Sequence, residues 1–315
     1  MKNKGGDLVS SFSYFYILLT HMLWYNKPVI AFLLRSGVIN MLDTNNAKLN
    51  FSGDVGYITF PILEQFDFVR HAFSTKLGGV SSNEFSSMNL SFNRGDSEEN
   101  VIENYHRLCE AIGVGFDTLV ASSQDHHTNI RVVGQKDRGV GIWKKQDMQS
   151  VDGLVTNEKG VTLVTYYADC TPIYFLDPEK KVIGLAHAGW RGTVGQICSN
   201  MIEKMITEYG CNTKNIICVI GPAIGPCCYE VDEPVYGEFA MLSHLDPEKF
   251  TSPKGDNKYM IDLWETNKRI LLDAGVREKN IVISGVCTKC NSDILFSHRA
   301  TNGKRGGMVA IMSLQ

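Results

Sequence analysis

Between residues 168 and 192 the chain carries an Ala-Asp-Cys-Thr-Pro turn, two short apolar runs and then His-Ala-Gly-Trp-Arg-Gly. Cys170, His187 and Arg191 thereby fall at the ends of strand-like segments, beside glycines that keep the surrounding space open. Earlier, Gln124-Asp125-His126-His127 precedes another apolar alternation, which lets His126 join them. Two imidazoles and one thiolate, with a fourth position left open, are the usual donor set of a catalytic zinc. The separations along the chain are long, and the same residues suit two other readings. Cys170 can be a nucleophile with His187 as its base, or the three can be a core cysteine and structural histidines. His127, vicinal to His126, points the other way on an extended chain and is no co-ligand.

Asp169, adjacent to Cys170, is a candidate general acid or base, or only fixes the turn. Arg191 follows a Gly-Trp pair, a setting that presents a guanidinium to an anion such as phosphate, with a surface salt bridge as the plain alternative. Lys76 beside Gly78-Gly79, and His298-Arg299 near a glycine-rich loop, carry the same choice. Cys287 and Cys290 form a Cys-x-x-Cys without a second such pair, and buried small hydrophobes are preferred there to a zinc or redox site. Nine cysteines, an odd count with no paired framework, predict reduced thiols and a cytoplasmic protein.

These residues need a scaffold. Short strands are expected over 49–51, 57–60, 66–73, 130–133, 152–155, 161–167, 173–176, 182–186, 216–220, 281–284 and 308–312, where apolar runs are bounded by turn residues. Apolar residues at helical spacing predict helices over 97–112, 193–209, 234–242 and 263–274. The first should begin with a capping box from Asp96 and Glu99, and the last should be capped by Asp262. Strands and helices interleave without regular βα alternation, so an α+β sandwich in one domain over 41–315 is predicted. A dinucleotide-binding glycine fingerprint and a P-loop are both absent. With 43% hydrophobic residues and a net charge of -3, the 315-residue chain has the composition of a soluble protein, with no electrostatic reason to bind nucleic acid. Residues 1–40 form an apolar extension interrupted by His21, Asn26, Lys27 and Pro28. It reads as a stretch preceding a start at Met41 rather than as a signal or membrane segment, since a charge near its middle is costly in a bilayer and no small-x-small cleavage site follows.

The segments Phe73-Ser74-Thr75-Lys76-Leu77-Gly78-Gly79-Val80-Ser81, Gln124-Asp125-His126, Asp152-Gly153-Leu154 and Ala168-Asp169-Cys170-Thr171-Pro172 occur in order. They are followed by His187-Ala188-Gly189-Trp190-Arg191-Gly192, Gly221-Pro222 through Tyr229-Glu230-Val231, and Ser297-His298-Arg299. Together they closely resemble the multicopper-oxidase-like laccase-domain family, also called the YfiH or purine nucleoside phosphorylase family. The resemblance implies a single α+β domain related to the cytotoxic-necrotizing-factor type of cysteine hydrolase, with zinc held by His126, Cys170 and His187. It also implies phosphorolysis of adenosine, inosine, guanosine or methylthioadenosine to base and ribose 1-phosphate, together with adenosine deaminase activity. Other labels in the family are polyphenol oxidase, which would take copper, and a branch acting on peptidoglycan precursors. Two departures touch the rim of the site: His127 stands where a glycine is usual, and Lys76 where an arginine is usual.

A multicopper oxidase needs many histidines in His-x-His pairs, whereas this chain has eight histidines and no such pair. The nucleobase-deaminase signature His-x-Glu with a later Pro-Cys-x-x-Cys is missing as well. Deamination would then rest on the three-ligand zinc with Asp169 as proton carrier. For phosphorolysis, Arg191 is the first candidate phosphate contact and Arg299 or Lys76 the second.

Overall fold

The computed structural model describes residues 44–315, so the reading of residues 1–40 and of a start at Met41 lies outside the described residues. The first strands are β1 (Lys48–Ser52), β2 (Val55–Thr59), β3 (Val69–Ser74), β4 (Leu119–Ala121) and β5 (Asn129–Val132). Then come β6 (Val151–Thr156), β7 (Thr162–Tyr167), β8 (Thr171–Asp177), β9 (Val182–Ala188) and β10 (Ile217–Ile220). The last are β11 (Glu230–Asp232), β12 (Thr251–Gly255), β13 (Lys258–Ile261), β14 (Ile281–Ile283) and β15 (Met308–Leu314). The helices are α1 (Pro61–Glu64), α2 (Glu98–Ile112), α3 (Trp190–Val194), α4 (Ile197–Tyr209), α5 (Glu233–Ala240), α6 (Leu263–Asp273) and α7 (His298–Thr301).

Two six-stranded mixed sheets, ordered β1-β2-β3-β15-β7-β4 and β14-β10-β8-β9-β6-β5, pack face to face, and a small third sheet is ordered β11-β13-β12. Every residue of β9 is buried, because the strand is covered on both sides. Val182, Ala186 and Ala188 face the helices α4 and α6, and the intervening positions Ile183, Leu185 and His187 face the other sheet. The first sheet repeats the arrangement: Ala72, Val164, Val309 and Ile311 pack under α2, while Phe73 and Tyr167 meet between the sheets. The Tyr174 hydroxyl donates to the Ala72 carbonyl at 2.8 Å, tying the sheets together. The predicted α+β sandwich is therefore present, with helices on both outer faces.

Two local expectations are corrected. The N-cap of α2 is Ser97, whose side chain accepts from the Asn100 N–H. Asp96 instead accepts from Ser97, Asn89 and Asn100, so the two acids do not form the predicted box. The helix predicted over 193–209 is two helices, α3 and α4, broken where Gln196 takes φ +59. That break lets Trp190 and Arg191 begin a separate turn beside the end of β9. Among the described residues no helix is long and apolar enough to cross a membrane.

The close approach of α4 depends on glycines in the second sheet. A Cβ at Gly184 would lie 2.9 Å from Met201 Sδ, and one at Gly153 would lie 3.1 Å from Met201 Cε. Met201 is fully buried over these two positions. Met201→Ala should lower unfolding stability by about 2–5 kcal/mol, because the glycines offer no side chain to fill the space. Urea denaturation checks this value.

Candidate metal centre and cleft

Three separate segments bring His126, Cys170 and His187 together. His187 is the last inward-facing residue of β9. Cys170 ends the turn between β7 and β8, where Asp169 takes φ +89. His126 lies in the loop before β5 and takes φ +71, so it is not on an extended strand as its sequence context suggested. Left-handed backbone at a non-glycine residue persists only where surrounding contacts impose it. In both turns those contacts are visible.

For His126 the contact is the fully buried carboxylate of Asp152. The backbone N–H groups of Asp125, His126 and His127 donate to its two oxygens at 3.2, 3.1 and 3.0 Å. His187 Nδ1 sits 2.7 Å from Asp152 Oδ1, which fixes the ring and leaves Nε2 directed toward Cys170 and His126. Around Asp169, the Thr288 hydroxyl and the Arg299 N–H donate to its two carboxylate oxygens at 2.6 and 2.7 Å. Its carbonyl accepts from the Ile224 N–H at 2.9 Å. Asp169 thus holds the turn that presents Cys170, the structural half of what the sequence allowed.

The donor atoms of His126, Cys170 and His187 all lie within 4.8 Å of one another, with Cys170 Sγ 3.9 Å from His126 Nε2. Imidazole and thiolate donors at this spacing suit a tetrahedral zinc with metal–ligand bonds of about 2.0–2.3 Å. Gly189 keeps the space clear, since a Cβ there would lie 2.8 Å from His126 Cδ2 and 3.2 Å from Cys170 Sγ. Burial alone would push the Cys170 thiol up, but the His187 charge and hydrogen bonds from both imidazoles bring it down to about 6. Burial lowers His187, yet the Cys170 thiolate and Asp152 outweigh it and raise the imidazole to about 9. His127 stands apart, exposed and paired with Asp125.

Two lobes of one cleft open from this centre, with cavities of about 540 and 670 Å³. They share Arg94, His126, Ala168, Cys170 and Arg305. The first lobe carries the rings of Phe92, Trp143, Tyr166 and Tyr167. Tyr229, Arg191, His298 and Arg299 line the second. Arg191 is exposed and stacks on Trp190, its guanidinium 4.2 Å from the ring centroid, and no ion pair holds it among the described residues. The Arg299 side chain donates to the Glu230 carbonyl and lies over Tyr229. Burial and then the charge of Arg305 lower His298. Lys76 is elsewhere: its amine donates to the Ser292 carbonyl at 2.6 Å, and it lines neither lobe.

Sequence reasoning missed Asp152 and Arg305. Arg305 is 8% exposed, and its Nε is buried without a hydrogen-bond partner. Burial and then the neighbouring Arg94 lower its guanidinium to about 10. An underused buried cation facing a cleft is poised for an anion. Its position in a glycine-rich segment, 303–307, was the available signal.

A mixed α+β sandwich with a His2Cys centre at the meeting point of two cleft lobes defines the class of protein. The description "Multi-copper polyphenol oxidoreductase laccase" belongs to a family model that matches residues 70–315, and the chain belongs to this laccase-domain family. It is 35% identical over 244 residues to purine nucleoside phosphorylase YlmD of Bacillus subtilis, covering 77% of this chain and 87% of that one. Identity to the YlmD purine nucleoside phosphorylase of Geobacillus stearothermophilus is 40% over 248 residues, covering 76% and 88%. The crystal structure of Bacillus licheniformis hypothetical protein YfiH superposes with a TM-score of 0.80 at 32% identity, covering 85% of this chain and 99% of that one.

Two outcomes follow from the geometry. Asp152→Asn offers one acceptor oxygen to four converging donors, and should weaken zinc binding at the centre about 10–100-fold, measured by competition with a chelator. In metal-stripped protein the depressed pKa keeps Cys170 as thiolate at neutral pH, and that charge is lost as pH falls through about 6. Alkylation of Cys170 should therefore persist to about pH 6 and drop below it, instead of declining below pH 8.5 as for an ordinary thiol.

Proposed function

We propose that this chain is a zinc-dependent purine nucleoside phosphorylase, converting adenosine, inosine, guanosine or methylthioadenosine with phosphate to base and ribose 1-phosphate. Arg305, a buried guanidinium with an unpartnered Nε beside His126 and Cys170, carries the reading. Phosphorolysis needs an anion held dry and still against the ribose anomeric carbon, and a desolvated arginine provides that with little reorganisation. Arg94 and Arg191 add positive charge on the open side, and His298 and Arg299 extend it along the second lobe. The rings of Phe92, Trp143 and Tyr166 offer stacking faces to the purine in the first lobe. Phosphate oxygen then attacks the anomeric carbon as the bond to the purine nitrogen breaks, the electron pair leaving with the base.

His126, Cys170 and His187 would hold the metal, with Asp152 orienting His187 and anchoring the His126 loop. When bound there, zinc supplies a Lewis acid at the junction of the lobes. The same centre supports the adenosine deaminase activity proposed beside phosphorolysis. Two imidazoles and a thiolate suit zinc, and the absence of His-x-His pairs argues against a multicopper oxidase, copper being the alternative metal. A cysteine hydrolase is the second reading, favoured by one observation: a thiol lowered to about 6 beside His187 is also an activated nucleophile. Loss of zinc from the cleft on Cys170→Ala supports a ligand, and peptidoglycan-precursor hydrolysis by metal-free protein supports the rival.

The direct test incubates zinc-loaded protein with adenosine or inosine, with and without phosphate, and separates the products. Phosphate-dependent release of ribose 1-phosphate is expected; no turnover of either nucleoside, nor of guanosine or methylthioadenosine assayed in the same way, by fully loaded protein overturns the proposal. Arg305→Gln should raise the KM for phosphate about tenfold or more, with a smaller effect on the KM for nucleoside.

A further inference from the structure

The second sheet directs two cysteine pairs to one point outside the cleft centre. Strands β10 and β14 run parallel, with Ile220 paired to Ile283, so the segments leaving them emerge at the same end of the sheet. Seven residues after Ile220 comes Cys227-Cys228, and four after Ile283 comes Cys287 of the Cys-x-x-Cys. Beyond the strands the segments remain joined: Ala223 N–H donates to Val286 O, and Thr288 N–H donates to Ala223 O. The donor atoms of Cys227, Cys228, Cys287 and Cys290 all lie within 4.8 Å of one another.

Adjacent residues on an extended chain point to opposite sides. Cys227 and Cys228 lie in a turn instead, which puts their sulfurs 3.7 Å apart on one side. Cys290 Sγ lies 3.5 Å from each of them. Four sulfurs around a tetrahedral zinc, at a bond length of about 2.3 Å, stand about 3.8 Å from one another. A disulfide needs its two sulfurs at about 2.05 Å, far closer than the 3.5 and 3.7 Å found between these. The fourth sulfur, buried Cys287, accepts from the Gly225 N–H at 3.2 Å, a bond that stabilises thiolate. Only a glycine fits at 225, because a Cβ there would meet Trp264 at 2.8 Å and Cys287 Cβ at 3.3 Å.

We infer that Cys227, Cys228, Cys287 and Cys290 form a second, structural zinc site of four thiolates. It fastens the segment that follows β10 to the segment that follows β14. Both segments grip Asp169, through the Ile224 N–H and the Thr288 hydroxyl, and the first also supplies Tyr229 to the cleft wall. This ion has no open position and takes no part in turnover; it secures the wall behind Cys170. The expectation that Cys287 and Cys290 are buried small hydrophobes is thereby replaced, since Cys290 is exposed.

The test is the metal content of the full chain purified without chelator. Two zinc ions per chain are expected in the unmodified protein and one in His126→Ala. After cobalt exchange, that His126→Ala protein should show strong thiolate-to-cobalt charge-transfer absorption. Cys290→Ser in the same background should lose both the remaining ion and the absorption. Should Cys290→Ser fail to fold, mercurial titration of folded His126→Ala protein substitutes, with one zinc released as the four thiols react. A His126→Ala protein that folds but holds no metal overturns the inference, and so does a disulfide among these four cysteines.

Discussion

One buried carboxylate carries the arrangement of the cleft. Asp152 gathers three backbone N–H groups from residues 125–127 and the Nδ1 of His187. A carboxylate without exposure is tolerated because these donors replace water. The same bonds hold His126 in left-handed backbone and aim the free nitrogen of His187. Loop and strand are thus coupled through a single side chain, so the spacing of His126 and His187 is set by one buried group behind them.

Cys170 is fixed by a second, independent anchor. Asp169 reaches across to Thr288 and Arg299, linking the β7–β8 turn to segments more than a hundred residues later. The thiolate is favoured by the two imidazoles against the pull of burial. The centre therefore has charge-stabilised donors, rigid backbone and an open side toward two lobes, while Arg305 keeps unspent hydrogen-bonding capacity at their junction. Thiolate charge at Cys170 and positive charge at Arg94 and Arg305 a short distance away give one cleft two regions of opposite sign.

Much of this was legible from residues 168–192 and from the earlier His126, because strand-ending motifs declare themselves by apolar runs and glycine. The continuous apolar run over 182–186 correctly placed a buried strand, and β9 extends two residues further to include His187. Asp152 was quoted within a motif but given no role. A carboxylate in a strand reveals its function only when the loop it binds is folded over it. Arg305 was hidden for a related reason: burial of a long cationic side chain depends on tertiary packing. The helix over 193–209 was read through its break because apolar spacing continues across Gln196, while φ +59 at that residue does not show in side-chain periodicity. Cys227-Cys228 and Cys287-x-x-Cys290 were never paired, since the parallel β10–β14 contact that unites them is topological.

Strand β15 lies between β3 and β7 in the first sheet, pairing with both. A strand from residues 308–314 therefore bridges partners made some 140 and 240 residues earlier. Until the ribosome has released that stretch, β1-β2-β3 and β7-β4 are two fragments with unpaired edges, and the turn after β7 that carries Cys170 lacks its flanking support. The turn that presents Cys170 is thus fully flanked only once residues 308–314 have joined the two fragments into one sheet.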